Sequence, residues 1–305
     1  MSKEKNIVSI VKSTYENVYE NLARGIELTG GLDILGRKRI VVKINICDAR
    51  TPETGAITHP KFLDAFLRYL RDHYPGVDIF VVESDATVVL ADDFIQWFGL
   101  APVIEKWNAK WVNLSLEDHK VVRINGYHLK EVPLASIFED SFFVTLPKLK
   151  TNVLSSITCC LKNQFGCFPL VQKSIYHTIL DKVIADVNLV YRPDFCIVDG
   201  IVTNAGTKGP AFGTPIPAQL IVCGRDPVAV DTVCAKIMGF NPWFIGHIRK
   251  AAALGVGKMK YTLRGVSIKD AKMDFEINKL EMRLLKFASR LQRSSQKEMR
   301  QEWKN

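Results

Sequence analysis

The chain has 305 residues, 47% of them hydrophobic, and a net charge of +9, which is length and apolar content enough for a sizeable buried core. No apolar run reaches the roughly 20 residues that span a bilayer, and the start, MSKEKNIVSIVKSTYENV, lacks the apolar region and cleavage site of a secretory signal, so the expectation is a cytoplasmic protein. Residues 266 to 305 hold ten Lys/Arg against six Asp/Glu, leaving +5 for the body, too little for the clustered basic face of a sequence-specific nucleic-acid binder.

In chain order, residues 7 to 11 read as a strand and 14 to 29 as a helix stopped by Gly30-Gly31. Residues 39 to 46 read as a second strand, whose end puts Lys43 and Asn45 on one side by the two-residue period. A polar loop from Cys47 to His59 leads into Pro60, and 60 to 73 is an amphipathic helix with Phe62, Leu63, Phe66 and Leu70 on one face. Strand 77 to 82 ends in Glu83-Ser84-Asp85, where a carboxylate serves as a helix cap or as a site residue. Residues 92 to 107 read as helix, 110 to 114 as a strand, and 119 to 132 as a hairpin-like excursion centred on a type I′ signal at Asn125-Gly126.

The aromatic and β-branched run Phe142 to Leu146 reads as a buried strand closed by Pro147. Beyond it Lys148, Lys150, Asn152, Lys162 and Asn163 are interleaved with apolar residues. Any one lysine there could lay its stem along the sheet rim; five donors beyond one strand end favour an anion site. Residues 174 to 191 read as a helix on which His177 and Asp181 are neighbours, His177 being a minority candidate for a general base. Strand 195 to 198 is expected to end at Asp199-Gly200. In the loop 203 to 217, Gly206, Gly209 and Gly213 either bring backbone N–H groups to an anion or form plain turns. A strand at 219 to 223 precedes Asp226-Pro227, an acidic N-cap and proline opening a helix. Asp231 lies on that helix's apolar face and needs a partner, expected to be a lysine of the central cluster or a ligand. Residues 243 to 254 read as helix. Residues 274 to 293 carry Ile277, Leu280, Leu284, Phe287 and Leu291 on one stripe beside basic residues, a pattern for docking on the body or on a second subunit, with an anionic membrane surface as the alternative.

The segments PKLKTN and CLKNQFGCFP with Lys173 and His177 beyond them, VVKIN at 41–45, VVES at 81–84, VDGI with GP and G at 198–213, and RDPVAVDTVCAKIMGF at 225–240 together resemble the family called domain of unknown function 362. The resemblance spans about residues 38 to 258. It implies little chemistry, although many relatives carry a ferredoxin-like iron-sulfur module whose closely spaced cysteine run this chain lacks.

The expected fold is α/β, an open and mostly parallel doubly wound sheet with a C-terminal amphipathic helix. The expected organisation is an N-terminal half over 1–135, a second half over 136–265 carrying the main motifs, and a basic helical tail over 266–305. In the leading functional reading, an enzyme holds a phosphate- or carboxylate-bearing small molecule. Lys43, Asn45, Asn152 and Asn163 would bind it, and Lys148, Lys150, Lys162, Asp199, Asp231 or His177 would supply the chemistry. No cofactor is required. The seven cysteines form no Cys-x-x-Cys pair, yet Cys159, Cys160 and Cys167 leave open a redox protein with an iron-sulfur cluster or divalent metal, and a non-catalytic scaffold is the third reading.

Overall fold

A computed structural model describes residues 6–34 and 36–288. The chain begins with strand β1 (Ile7–Lys12), helix α1 (Val18–Leu28), β2 (Arg39–Lys43), α2 (Pro60–His73), β3 (Asp78–Glu83), α3 (Ala91–Trp97), α4 (Ala101–Lys106) and β4 (Lys110–Asn113). Next come a small two-stranded sheet of β5 (His119–Arg123) and β6 (Glu131–Ala135), then β7 (Ser141–Thr145), β8 (Lys148–Asn152), β9 (Ser156–Thr158), α5 (Cys160–Gln164) and α6 (Leu180–Val187). The chain continues through β10 (Phe195–Ala205), β11 (Thr214–Ile216), β12 (Leu220–Gly224), α7 (Pro227–Ile237), α8 (Gly246–Ala253), β13 (Thr262–Gly265) and α9 (Ile268–Ala271). Residues 279–288 are helical.

The large sheet runs β13-β1-β12-β10-β7-β2-β3-β4, with β8, β9 and β11 attached beside β10. From β10 to β4 every pairing along that order is parallel, whereas β12 is antiparallel to both neighbours. The expected mostly parallel α/β sheet is the one found.

Alternation along the strands fills two cores. Ile40 and Val42 of β2, Phe142 and Val144 of β7, and Phe195 and Ile197 of β10 pack under α1 to α4. Val41, Phe143, Cys196 and Val198 face α5 to α8 on the other side. After β2 the chain crosses over one face to β3, and after β7 it crosses the opposite face to β10, which lies on the other side of β7. The strand order therefore reverses between β2 and β7, and the carboxyl ends of such a pair are where sheets of this type hold ligands.

Local chemistry explains the best-matched elements. α2 starts at Pro60, its N-cap His59 accepting from the Lys61 amide at 3.1 Å, and buries Phe62, Leu63, Phe66 and Leu70. α7 starts at Pro227, with Asp226 accepting from the Val228 and Ala229 amides.

Several expectations are corrected. The helix over 92–107 is two helices, because Gly99 sits at φ +68° and Pro102 opens a new first turn. The first part of 174–191 is 3-10 helix over Lys173–Ile179, and Ile175 on its expected apolar face is exposed. The 119–132 excursion has no two-residue turn, since seven residues join β5 to β6; the amides of Tyr127, His128 and Leu129 donate to Asp186, against which Gly126 is pressed. β10 does not end at Asp199-Gly200. A Cβ on Gly200 would lie 2.9 Å from the Leu220 carbonyl, so this glycine permits close strand approach.

Candidate functional site

The polar cluster beyond β7 is a strand, β8, paired parallel to the second half of β10 and antiparallel to β9. That pairing puts Lys148, Lys150 and Asn152 in one row, and β2, β3 and β10 bring up the groups they meet.

Three linked knots result. In the first, the Lys148 amine meets Asp199 Oδ2 at 2.8 Å, both side chains fully buried, and donates to the Tyr15 hydroxyl at 3.3 Å. The Tyr15 ring stacks on His59 at 3.8 Å. Burial pulls the Lys148 pKa down against the attraction of Asp199, and burial followed by Asp199 raises that of Tyr15. In the second, the Lys43 amine pairs with Glu83 Oε1 and donates to the Ile44 carbonyl at 2.9 Å. Glu83 also accepts from the Ile46 and Ser84 amides. Lys173 closes this knot through Ser84 Oγ and the Asp85 carbonyl, its pKa brought down to about 8 by burial despite Glu83.

The third knot differs because no carboxylate among the described residues enters it. Lys150 donates to Asn45 Oδ1 at 2.6 Å, to Cys47 Sγ at 2.9 Å and to the Ala56 carbonyl. Asn45 Nδ2 donates to Asn163 Oδ1 at 2.9 Å, and Asn163 Nδ2 donates to Thr145 Oγ1 at 2.9 Å and to the Lys43 carbonyl at 3.4 Å, tying this knot to the second. Lys162 approaches from α5. It is partly exposed, and among the described residues no hydrogen bond or ion pair reaches its amine. Loss of solvation, then the charge of Lys150, bring its pKa down to about 8.

Lys43, Asn45, Lys148, Lys150, Lys162, Asn163 and Asp199 are thus brought to one region at the switch point. The other sequence candidates have different surroundings. Asn152 Oδ1 is used up in a local turn, accepting from the Leu154 and Ser155 amides. Asp231 does not pair with a lysine; its carboxylate accepts from the Cys160 and Leu161 amides. His177 sits in 3-10 geometry, which removes the four-residue helical spacing to Asp181, and Asp181 faces His247 at 3.5 Å and Lys286 at 3.4 Å. The amide N–H groups of Gly206, Gly209 and Gly213 donate to the carbonyls of Phe275, Gly206 and Pro210. A Cβ on Gly209 would lie 2.2 Å from Thr151 Oγ1 and one on Gly213 2.1 Å from Asn204 Oδ1, so tight packing on β8 and β10 accounts for both glycines.

Cys159, Cys160 and Cys167 do not form one ligand set. The first two face Asp231, whereas Cys167 lies in the field of Lys43, Glu83 and Lys173, with burial pushing its thiol up to about 12. Cys159, Cys160 and Cys167 by themselves therefore do not supply the four-thiolate set of an iron-sulfur cluster. Sequence reasoning missed Tyr15, Cys47 and His59, which reach the site from loops before helices and carry no periodic signal. Two open clefts lie elsewhere, one along α1 and α2 beside Tyr69 and His73, the other lined by Arg192, Arg225, Asp226, Lys258 and Lys260.

A thylakoid-associated protein of Synechocystis sp. (strain ATCC 27184 / PCC 6803 / Kazusa) is 25% identical over 271 residues, covering 82% of this chain and 79% of that protein. No solved structure matches significantly. The matched family region, residues 40–236, runs from β2 to the end of α7 and so takes in every lysine of the three knots, and the chain belongs to the family described as domain of unknown function, DUF362.

Proposed function

We propose that this protein is an enzyme that binds an anionic small molecule, carrying phosphate or carboxylate, in the crevice at the β2/β7 switch point. The observation that carries this reading is Lys162, a partly exposed amine that no carboxylate among the described residues reaches, set beside Lys150, whose own partners are an amide oxygen, a thiol and a backbone carbonyl. Two such amines repel unless an anion lies between them. Lys43 and Lys148 are already neutralised by Glu83 and Asp199 and act as the rigid floor. Asn45 and Asn163 hold Lys150 in place, and Cys47 stands next to it. A lysine with a pKa of about 8 exchanges protons near neutral pH, which suits Lys162 to proton transfer on a bound substrate.

Native mass spectrometry and thermal-shift titration with inorganic phosphate, pyrophosphate and citrate test this. The wild type is expected to bind at least one of these probes, Lys162→Met to weaken that binding by about tenfold or more, and Lys258→Met, in the distant cleft, to leave it unchanged. Unaltered binding in Lys162→Met, loss in Lys258→Met instead, or no binding of any probe by the wild type would each overturn the reading.

A second reading concerns the C-terminal helix. Leu280, Leu284 and Phe287 are 67%, 60% and 61% exposed, while Met282 is the residue turned inward. Of the stripe expected to dock on the body, Ile277 packs against the core while Leu280, Leu284 and Phe287 face outward; Leu291 lies outside the described residues. Lys208 to Glu281 and Lys279 to the Gly239 carbonyl fix the helix between two loops that expose Phe212 on one side and Trp243 and Phe244 on the other. Apolar and aromatic side chains set among lysines and arginines suit an anionic lipid surface, and the Synechocystis relative is named for association with thylakoids. Among the described residues no helix is long and apolar enough to cross a membrane, so the contact proposed is peripheral.

A further inference from the structure

The face of the sheet covered by α5 to α8 holds a second cluster, unused by the lysine crevice. Cys159 ends the β9 arm and Cys160 begins α5, while Asp231 and Cys234 lie on α7, three residues apart and so on one helical face. The thiols of Cys159 and Cys160 and a carboxylate oxygen of Asp231 all lie within 4.8 Å of one another and are buried. Cys234 falls outside that group of mutually close atoms, although its thiol neighbours Cys159, as Cys196 on β10 neighbours Cys160. Adjacent cysteines ordinarily diverge, but Cys159 has φ −155° and ψ −144° at the passage from strand to helix, and this turn sends both thiols towards α7.

We propose that Cys159, Cys160 and Asp231, joined by Cys234 once its side chain turns in, form a closed structural site for a borderline-soft divalent cation of the zinc class. Three sulfurs and one carboxylate oxygen match the donor number and kinds that such a cation takes in tetrahedral geometry. Zinc–sulfur bonds of about 2.3 Å place sulfurs about 3.8 Å apart, so Cys159, Cys160 and Asp231 have to draw in from within 4.8 Å and Cys234 has to turn towards them as the fourth donor. Asp231 is aimed by its bonds from the Cys160 and Leu161 amides, at 2.8 and 3.1 Å, and each oxygen keeps a free lone pair. Binding releases the three thiol protons to solvent, and a site this deeply buried is filled as the chain folds. With four protein donors no position is left for water, so the role is structural: the ion pins β9 and α5, which carries Lys162, to α7.

The test is metal analysis of the full chain purified under reducing conditions from zinc-supplemented cells, with refolding of the unfolded chain in Co²⁺ as the second measurement. The expected results are about one zinc per chain, retained against a chelator until the protein unfolds, and a thiolate-to-cobalt absorption band on refolding. Cys234→Ser and Asp231→Asn are expected to lower the zinc content at least severalfold and to shift or remove the band; Cys223→Ser, a buried thiol on β12, is expected to leave both intact. If these variants fail to fold, the wild-type measurements decide alone. Folded wild type with only trace zinc and no cobalt band would overturn the proposal, as would a band unchanged in both site variants. The outcome is independent of the anion probes, so this site and the lysine crevice stand or fall separately.

Discussion

Lys148 and Lys150 are two residues apart on one strand and have different electrostatic roles. Lys148 is fully buried against Asp199, and removing one partner leaves the other as an uncompensated interior charge. Asp199→Asn is expected to destabilise the fold by about 3–5 kcal/mol, while Lys148→Met combined with Asp199→Leu recovers most of that loss; denaturant unfolding of the three proteins checks it. Lys162 bears on pH. Because Lys162 titrates at about 8, anion affinity is greatest below that pH and falls as the amine loses its proton above it. Titrating the bound probe between pH 7 and 9.5 reads this directly, and Lys162→Met should flatten the profile. Stability moves the other way. The folded pKa lies below the unfolded value of 10.5, so between about 8 and 10.5 the unfolded chain binds more protons and stability rises with pH. Lys173, also near 8, adds to the same trend.

Elements hold the site by close backbone approach as much as by side-chain pairing. Gly55 sits at φ +69°, and a Cβ there would lie 2.5 Å from the Thr203 carbonyl carbon, so the Cys47–His59 loop rests directly on β10. Gly55→Ala is expected to cost about 2–3 kcal/mol. It should also weaken probe binding, because Ala56 next to it anchors Lys150; thermal unfolding together with the phosphate titration separates the two effects. A strand was legible at 142–146 from its apolar aromatic run, but β8 was not, because Lys148, Thr151 and Asn152 resemble a loop until β10 and β9 supply their hydrogen-bonding edges. The opposite held for Asp226-Pro227, whose cap and proline act within one turn and therefore give the same helix start in sequence and structure.

At the scale of the whole molecule, the reversal between β2 and β7 decides where chemistry can gather, and the outward stripe of the last helix decides what the surface can meet. Deleting residues 279–305 is expected to abolish sedimentation with vesicles rich in anionic lipid while leaving probe binding unchanged; co-sedimentation at two salt concentrations measures it, the higher salt weakening recovery. The sequence by itself determined the α/β alternation, the amphipathic α2, the capped α7, the family and the crowding of lysines and asparagines after β7, since each depends on residues close in the chain. Only the tertiary structure decided which lysines are neutralised. Glu83 is 40 residues from Lys43, and Asp199 is 51 from Lys148. A charge finds its partner across a sheet through strand order and register, and neither is written in local spacing.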